Sequence, residues 1–337
     1  VSLNRDNLNC LGTHDQAIAA AQRALATAGG DVVLQALANT DLGRAYRAQG
    51  DYRRAIDCVA QTVASLDGAR RRERFGEAFL PAVLSRAYLA WCHAELGMFA
   101  EGRAFGEEGV QIAEAADHPF SLMWVCCAIG LLALRQGDVP SALPRLERAV
   151  DLCQDAALPI YFPWTAAHLV AAYTLGGRVA DTEPLLTQAL EQTAALERVD
   201  MQALCLLPLG EAQLLAGHLE EAQALAERVL ALTRTHQERG NEAYALRLLG
   251  DIAAQREPPE RARATSYYQE ALALAEELGM RPLLAHCHRG LGTLYAATGQ
   301  QEQAHTELSM AIEMYRAMDM TFWLPQTEAV LAQVEGR

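Results

Sequence analysis

LGRAYRAQGDYRRA, residues 42–55, sets three small residues at fixed intervals: Gly43, Gly50 seven positions on, and Ala55 twelve after Gly43. Tyr46 falls three positions after the first glycine. A small residue on each of two facing helices lets their backbones approach closely. A glycine between them supplies the left-handed residue that ends the first helix. The stretch therefore predicts a helix, a turn at Gly50 and a second helix, packed back to back.

The same arithmetic recurs. A glycine followed five positions later by a mostly small residue reads GTHDQA at Gly12, GDYRRA at Gly50, GMFAEG at Gly97, GDVPSA at Gly137, GRVADT at Gly177, GHLEEA at Gly217 and GQQEQA at Gly299. The glycine spacings are 38, 47, 40, 40, 40 and 82, the last holding two units. REPPERARA, residues 256–264, is the hidden turn, its glycine displaced by an insertion around Pro258 and Pro259. Seven residues before the turns stand Gly43, Gly130, Gly210 and Gly292, with Gly250 in the displaced unit. Tyr46, Tyr173 and Tyr295 follow three after that position, and Ala55, Ala142, Ala222 and Ala304 close the pattern. This is the spacing of a tetratricopeptide repeat, lengthened by about a turn per helix.

An all-α, right-handed superhelical solenoid of about eight such hairpins is expected. The units run about 1–30, 31–68, 73–117, 118–157, 158–197, 198–237, 238–278 and 279–319, with a capping helix over 320–337. The second helices are expected to begin near His14, Tyr52, Phe99, Val139, Val179, Leu219, Arg261 and Gln301. Only residues 1–11 precede the first turn, too few for a whole first helix, so the chain reads as a fragment of a longer protein.

Composition narrows the function. The chain has 337 residues and a formal charge of −14, which opposes binding to nucleic acid and to anionic membranes. Its basic residues are all arginines, a usage that fits a GC-rich bacterial genome. Without lysine there is no P-loop, Schiff-base or kinase-type lysine. The eight cysteines form no CxxC pair and read as small buried hydrophobes in a reducing cytoplasm. Residues 156–177 form a chargeless window of 22, long enough to span a bilayer. Val170, Tyr173 and Gly177 nevertheless hold repeat positions, and Pro159 and Pro163 suit a helix entrance, so the window reads as a first helix.

With the register set, EELGMRPLLAHCHRGLGTLYAATGQQEQAHTELSMAIEMYRAMDMTFWLPQTEAVL, residues 276–331, resembles the C-terminal end of large bacterial signalling proteins. Those join a class III adenylate or guanylate cyclase domain, or a DNA-binding domain, to an ATPase module and a tetratricopeptide tail. The MalT-type regulators of the LuxR family share this layout more distantly. The resemblance implies a cytoplasmic regulatory tail that senses a partner or ligand. No cyclase or ATPase motif is present to carry either activity over.

In such repeats the first helices line a concave groove. Its positions lie six and three before the second small residue, one after, and four or five after. They select Arg44 and Arg47; Trp91; Trp124, Cys127 and Leu131; Trp164 and Ala167; Leu207 and Glu211; Tyr244, Arg247 and Asp251; and His286 and Arg289. None of the three tryptophans takes the usual core tryptophan position, which holds Arg86, Cys126 and Ala166. They read either as an exposed aromatic platform, with Trp164 near its centre, or as packing between repeats. Glu211 and Asp251 are one repeat apart and able to meet across the groove, while Arg247 also suits an intrahelical ion pair with Asp251.

The Arg70-Arg71-Arg72-Glu73-Arg74 run marks the long unit, either a phosphate or acidic-peptide site or a solvated linker. His286 and His288 point to opposite sides of a helix and cannot share a metal ion. No Ser-His-Asp set, HExxH or phosphate loop is recognisable. The expectation is a non-catalytic scaffold or regulatory domain, without cofactor or metal, that binds a protein or peptide in its groove. A small-molecule sensor is the alternative, and self-association is compatible with either.

Overall fold

In the computed structural model, which describes residues 8, 10–178, 181–195 and 199–336, every turn glycine of the repeat is left-handed. The φ values are 85° at Gly50, 75° at Gly97, 83° at Gly137, 74° at Gly177, 83° at Gly217 and 76° at Gly299. Each lets the next N–H reach back to a carbonyl of the last turn, as Asp51 does to Tyr46 at 2.9 Å and Asp138 to Ala133 at 2.8 Å.

Among the described residues there are sixteen α-helices and no strand. The chain runs α1 (His14–Thr27), α2 (Val32–Gln49), α3 (Tyr52–Ser65), α4 (Pro81–Leu96), α5 (Phe99–Ala115), α6 (Pro119–Gln136), α7 (Val139–Asp155) and α8 (Phe162–Leu175). It continues through α9 (Glu183–Ala194), α10 (Val199–Leu215), α11 (Leu219–His236), α12 (Arg239–Gln255), α13 (Arg261–Leu278), α14 (Arg281–Ala297), α15 (Gln301–Ala317) and α16 (Leu324–Glu335). Second helices begin at His14, Tyr52, Phe99, Val139, Leu219, Arg261 and Gln301, as the spacing predicts. Val179 and residues 1–7 lie outside the described residues, and the helix after Val179 starts at Glu183.

The small residues do the packing expected of them. Ala55, Ala142, Ala222 and Ala304 have no exposed surface. A Cβ on Gly130 would sit 2.5 Å from Leu146 Cγ, and one on Gly292 would sit 2.7 Å from Leu308 Cγ. α16 packs on α15 and covers the last hairpin. Helix α6 is long and apolar enough to cross a membrane, yet 72% of it is buried inside the protein, so its apolarity serves the core. The 3-10 turn Gly68–Arg72 carries Arg70, Arg71 and Arg72 of the arginine run, and Arg71 pairs with Asp67 and, at 3.3 Å, with Glu108.

The solenoid curves until its early hairpins meet its late ones. The α2–α3 turn abuts the start of α12, so closely that a Cβ on Gly50 would lie 2.9 Å from Gly240 N. The α4–α5 turn meets Met318 and Pro282, and the α6–α7 turn meets Phe322 and Trp323. Arg44 bonds Asp200 at 3.1 Å across the same seam. What would be an open concave face thus becomes an interior.

Candidate functional site

That interior is a cavity of about 400 Å3, bounded by α6, α8, α10, α12 and α14 and by Trp323. Leu131, Leu134, Leu175, Leu207 and Leu215 make its aliphatic wall, and Arg135, Glu211, Arg247, Asp251, His286 and Arg289 supply its polar groups. Each of these helices is a first helix of its hairpin, so the repeat itself turns the residues inward, and Tyr268 joins them from the second helix α13.

Two charged clusters organise the polar part. Arg247 holds Glu211 of the preceding unit and, at 2.5 Å, Asp251 one turn on, while the Tyr268 hydroxyl donates to Asp251 at 2.6 Å. The cross-groove meeting and the intrahelical pair both exist, bridged by one guanidinium. In the second cluster Arg135 lies 3.9 Å over the Tyr244 ring and 3.4 Å from Glu95, which also accepts the Tyr244 hydroxyl at 2.6 Å. Burial works against charge on Arg247, but Asp251 and Glu211 outweigh it.

Burial favours the neutral form of the two cavity histidines. Burial pushes His168 down to about 4, against the help of its bond to Trp164 O. Burial likewise takes His286 well below its usual value, with Arg247, Arg289 and Arg135 adding repulsion. His286 Nδ1 shares a 2.8 Å hydrogen bond with the Tyr315 hydroxyl, and its ring meets Trp323 edge-on. His288 points elsewhere, to Glu307 at 2.6 Å. No cluster able to hold a metal ion occurs among the described residues.

Of the groove residues selected from sequence, Leu131, Leu207, Glu211, Tyr244, Arg247, Asp251, His286 and Arg289 line this cavity together. Arg47 and Trp91 line a small adjoining pocket, with the Arg47 guanidinium 4.2 Å over the Trp91 ring. Arg44 is committed to Asp200 instead. Cys127, Ala167 and Trp164 are fully buried, and Trp124 is 9% exposed.

The open aromatic platform is therefore corrected to packing between repeats. Trp164 lies 4.5 Å from Trp124 and stacks on Trp91 at 5.8 Å, ring centre to ring centre. The physical reason is curvature: α4 and α8, two hairpins apart, come close enough for their tryptophans to touch, and the groove there has no width left. All eight cysteines are free thiols; Cys92, Cys126, Cys127, Cys153, Cys205 and Cys287 are buried.

Sequence reasoning missed Arg135, His168, Tyr268 and Trp323. Arg135 stands five positions after Gly130, an inner-face offset, so its signal was present. Trp323 gave none, because it reaches the cavity from the cap only once the superhelix has turned back on itself.

The Tetratricopeptide repeat family matches residues 40–73, the unit built around Gly50. The fold is a tetratricopeptide-repeat solenoid. No curated protein matches the chain in sequence. Among solved structures, a Rap protein complexed with Competence and Sporulation Factor superposes with a TM-score of 0.63 at 12% identity, over 99% of this chain and 96% of that one. The Signal Transduction ATPase with Numerous Domains protein with a tetratricopeptide repeat sensor from Pyrococcus horikoshii gives 0.54 at 15% identity, over 86% of this chain. The match spans 43% of that longer protein. At these identities the tetratricopeptide likeness is one of fold.

Proposed function

We propose that the chain is a non-catalytic regulatory domain of a bacterial cytoplasmic signalling protein, which binds a protein or peptide segment inside the superhelix. The observation that carries this reading is the cavity of about 400 Å3, with aliphatic walls and charged groups on the inner helices. Tetratricopeptide solenoids present such inner faces to partners, and the Rap structure of similar fold is itself a complex with a factor. Among the described residues, nothing in the cavity joins a nucleophile to a base: its histidines are held by Trp164 O and Tyr315, and its carboxylates by Arg247.

A second reading, a small-molecule sensor, draws on the same volume, which falls within the range of small-ligand pockets. Isothermal titration of the whole chain against short-peptide and metabolite libraries separates the two. Peptide binding that weakens in Arg289→Ala supports the first reading. Saturable binding of metabolites alone selects the second.

A further inference from the structure

The charges lining the cavity do not cancel where they stand. Arg135 is matched by Glu95. Arg247 is matched twice, by Glu211 and Asp251, which leaves a surplus negative charge on α10 and α12. Glu211 meets Arg247 through Oε1, and its other oxygen has no hydrogen-bond partner among the described residues. Arg289, on α14, bonds the neutral amide of Gln326 at 3.0 Å and has no carboxylate partner among the described residues. His168 and His286, whose burial favours the neutral form, do not alter this balance.

A negative surplus on α10 and α12 and an unmatched cation on α14 thus face one cavity, with Glu211 and Arg289 two inner helices apart. The wall they share also carries Leu207, Leu215, Leu248 and Leu294. A ligand that fills the cavity takes both charges out of contact with solvent. With one charged end, it leaves the other protein charge desolvated and unpaired, a cost of the kind that destabilises buried ions. A ligand charged at both ends satisfies both. The guanidinium fork suits an acid group, and a carboxylate oxygen suits an ammonium.

We infer that the cavity takes a zwitterionic ligand, with an acid group on Arg289, a protonated amine on Glu211, and an aliphatic stretch between them along the leucines. This rests on the cavity being the binding site and narrows what occupies it.

The test uses ω-aminooctanoate, octanoate and octylamine as probes, titrated calorimetrically into the whole chain. Shorter and longer ω-amino acids serve as a ruler for the spacing. The two-ended probe is expected to bind about tenfold tighter than either one-ended probe, roughly one charge-assisted hydrogen bond's worth. Arg289→Gln should erase its advantage over octylamine, and Glu211→Gln its advantage over octanoate. Glu211→Asp, which keeps the charge, should retain the preference for an amine, and melting curves of each variant separate binding loss from unfolding.

Equal binding of octanoate or octylamine, or preferences that the substitutions leave unmoved, would overturn the inference. If no ω-amino acid binds while a peptide or metabolite library does, the zwitterion is wrong and the cavity reading stands. If nothing binds, both fall.

Discussion

Tyr244 donates a 2.6 Å hydrogen bond to Glu95 Oε2 from a helix 149 residues further along the chain. Both residues are buried, and Arg135 completes the cluster from a third hairpin. This bond stitches the third repeat unit to the seventh, and it sits at the edge of the cavity.

Tyr244→Phe should therefore cost about 1–3 kcal/mol, because it leaves a buried carboxylate oxygen short of a donor. Urea unfolding checks this. A change below a few tenths of a kcal/mol would mean that the closing bond adds nothing to stability.

The helix-contact glycines should rank by the space around them. Gly292→Ala and Gly130→Ala press a new Cβ to 2.7 Å from Leu308 and 2.5 Å from Leu146, and should each lose about 1–3 kcal/mol. Gly210→Ala meets Leu248 at a milder 3.1 Å, and the gain in helix propensity, up to about 1 kcal/mol, offsets it. Thermal melts in which Gly210→Ala is the worst of the three would contradict the packing described.

Trp164→Ala should behave as a core truncation, costing about 3–5 kcal/mol, since the ring is wholly buried between Trp91 and Trp124. Ligand binding by whatever fraction stays folded should be little changed. A stable variant that no longer binds would restore the platform reading.

Stability should fall as pH drops from about 6.5 to about 4. His168 is depressed by burial, so in that window the unfolded chain takes up a proton that the folded chain refuses. Its share is about 3 kcal/mol across the window. Denaturant unfolding at stepped pH should show a smaller slope for His168→Asn, and an unchanged slope would remove His168 as the cause.

The hairpins were legible because close helix approach demands small residues at set distances, and Gly43, Gly50 and Ala55 announce them locally. The inner stripe was legible in part for the same reason: Glu211, Arg247, Asp251 and Arg289 follow from register alone. Curvature was not. Whether Trp164 faces a groove or a neighbour depends on how tightly successive hairpins rotate, which no single unit encodes. The Glu95–Tyr244 bond and the approach of Trp323 arise from contacts between hairpins far apart in sequence, and a repeat period carries no information about where a superhelix meets itself.

On the proposed function, ligand enters the interior of the superhelix. Ala171 lines the cavity on α8 and belongs to neither charged cluster, and Ala171→Phe would fill part of its volume. Isothermal titration of wild type and this variant, against whichever library member binds wild type, tests the claim directly. The account predicts binding to wild type and at least about tenfold weaker binding to Ala171→Phe, roughly 1.4 kcal/mol, at unchanged helicity. Equal affinity in a folded Ala171→Phe would place the ligand elsewhere and contradict the account.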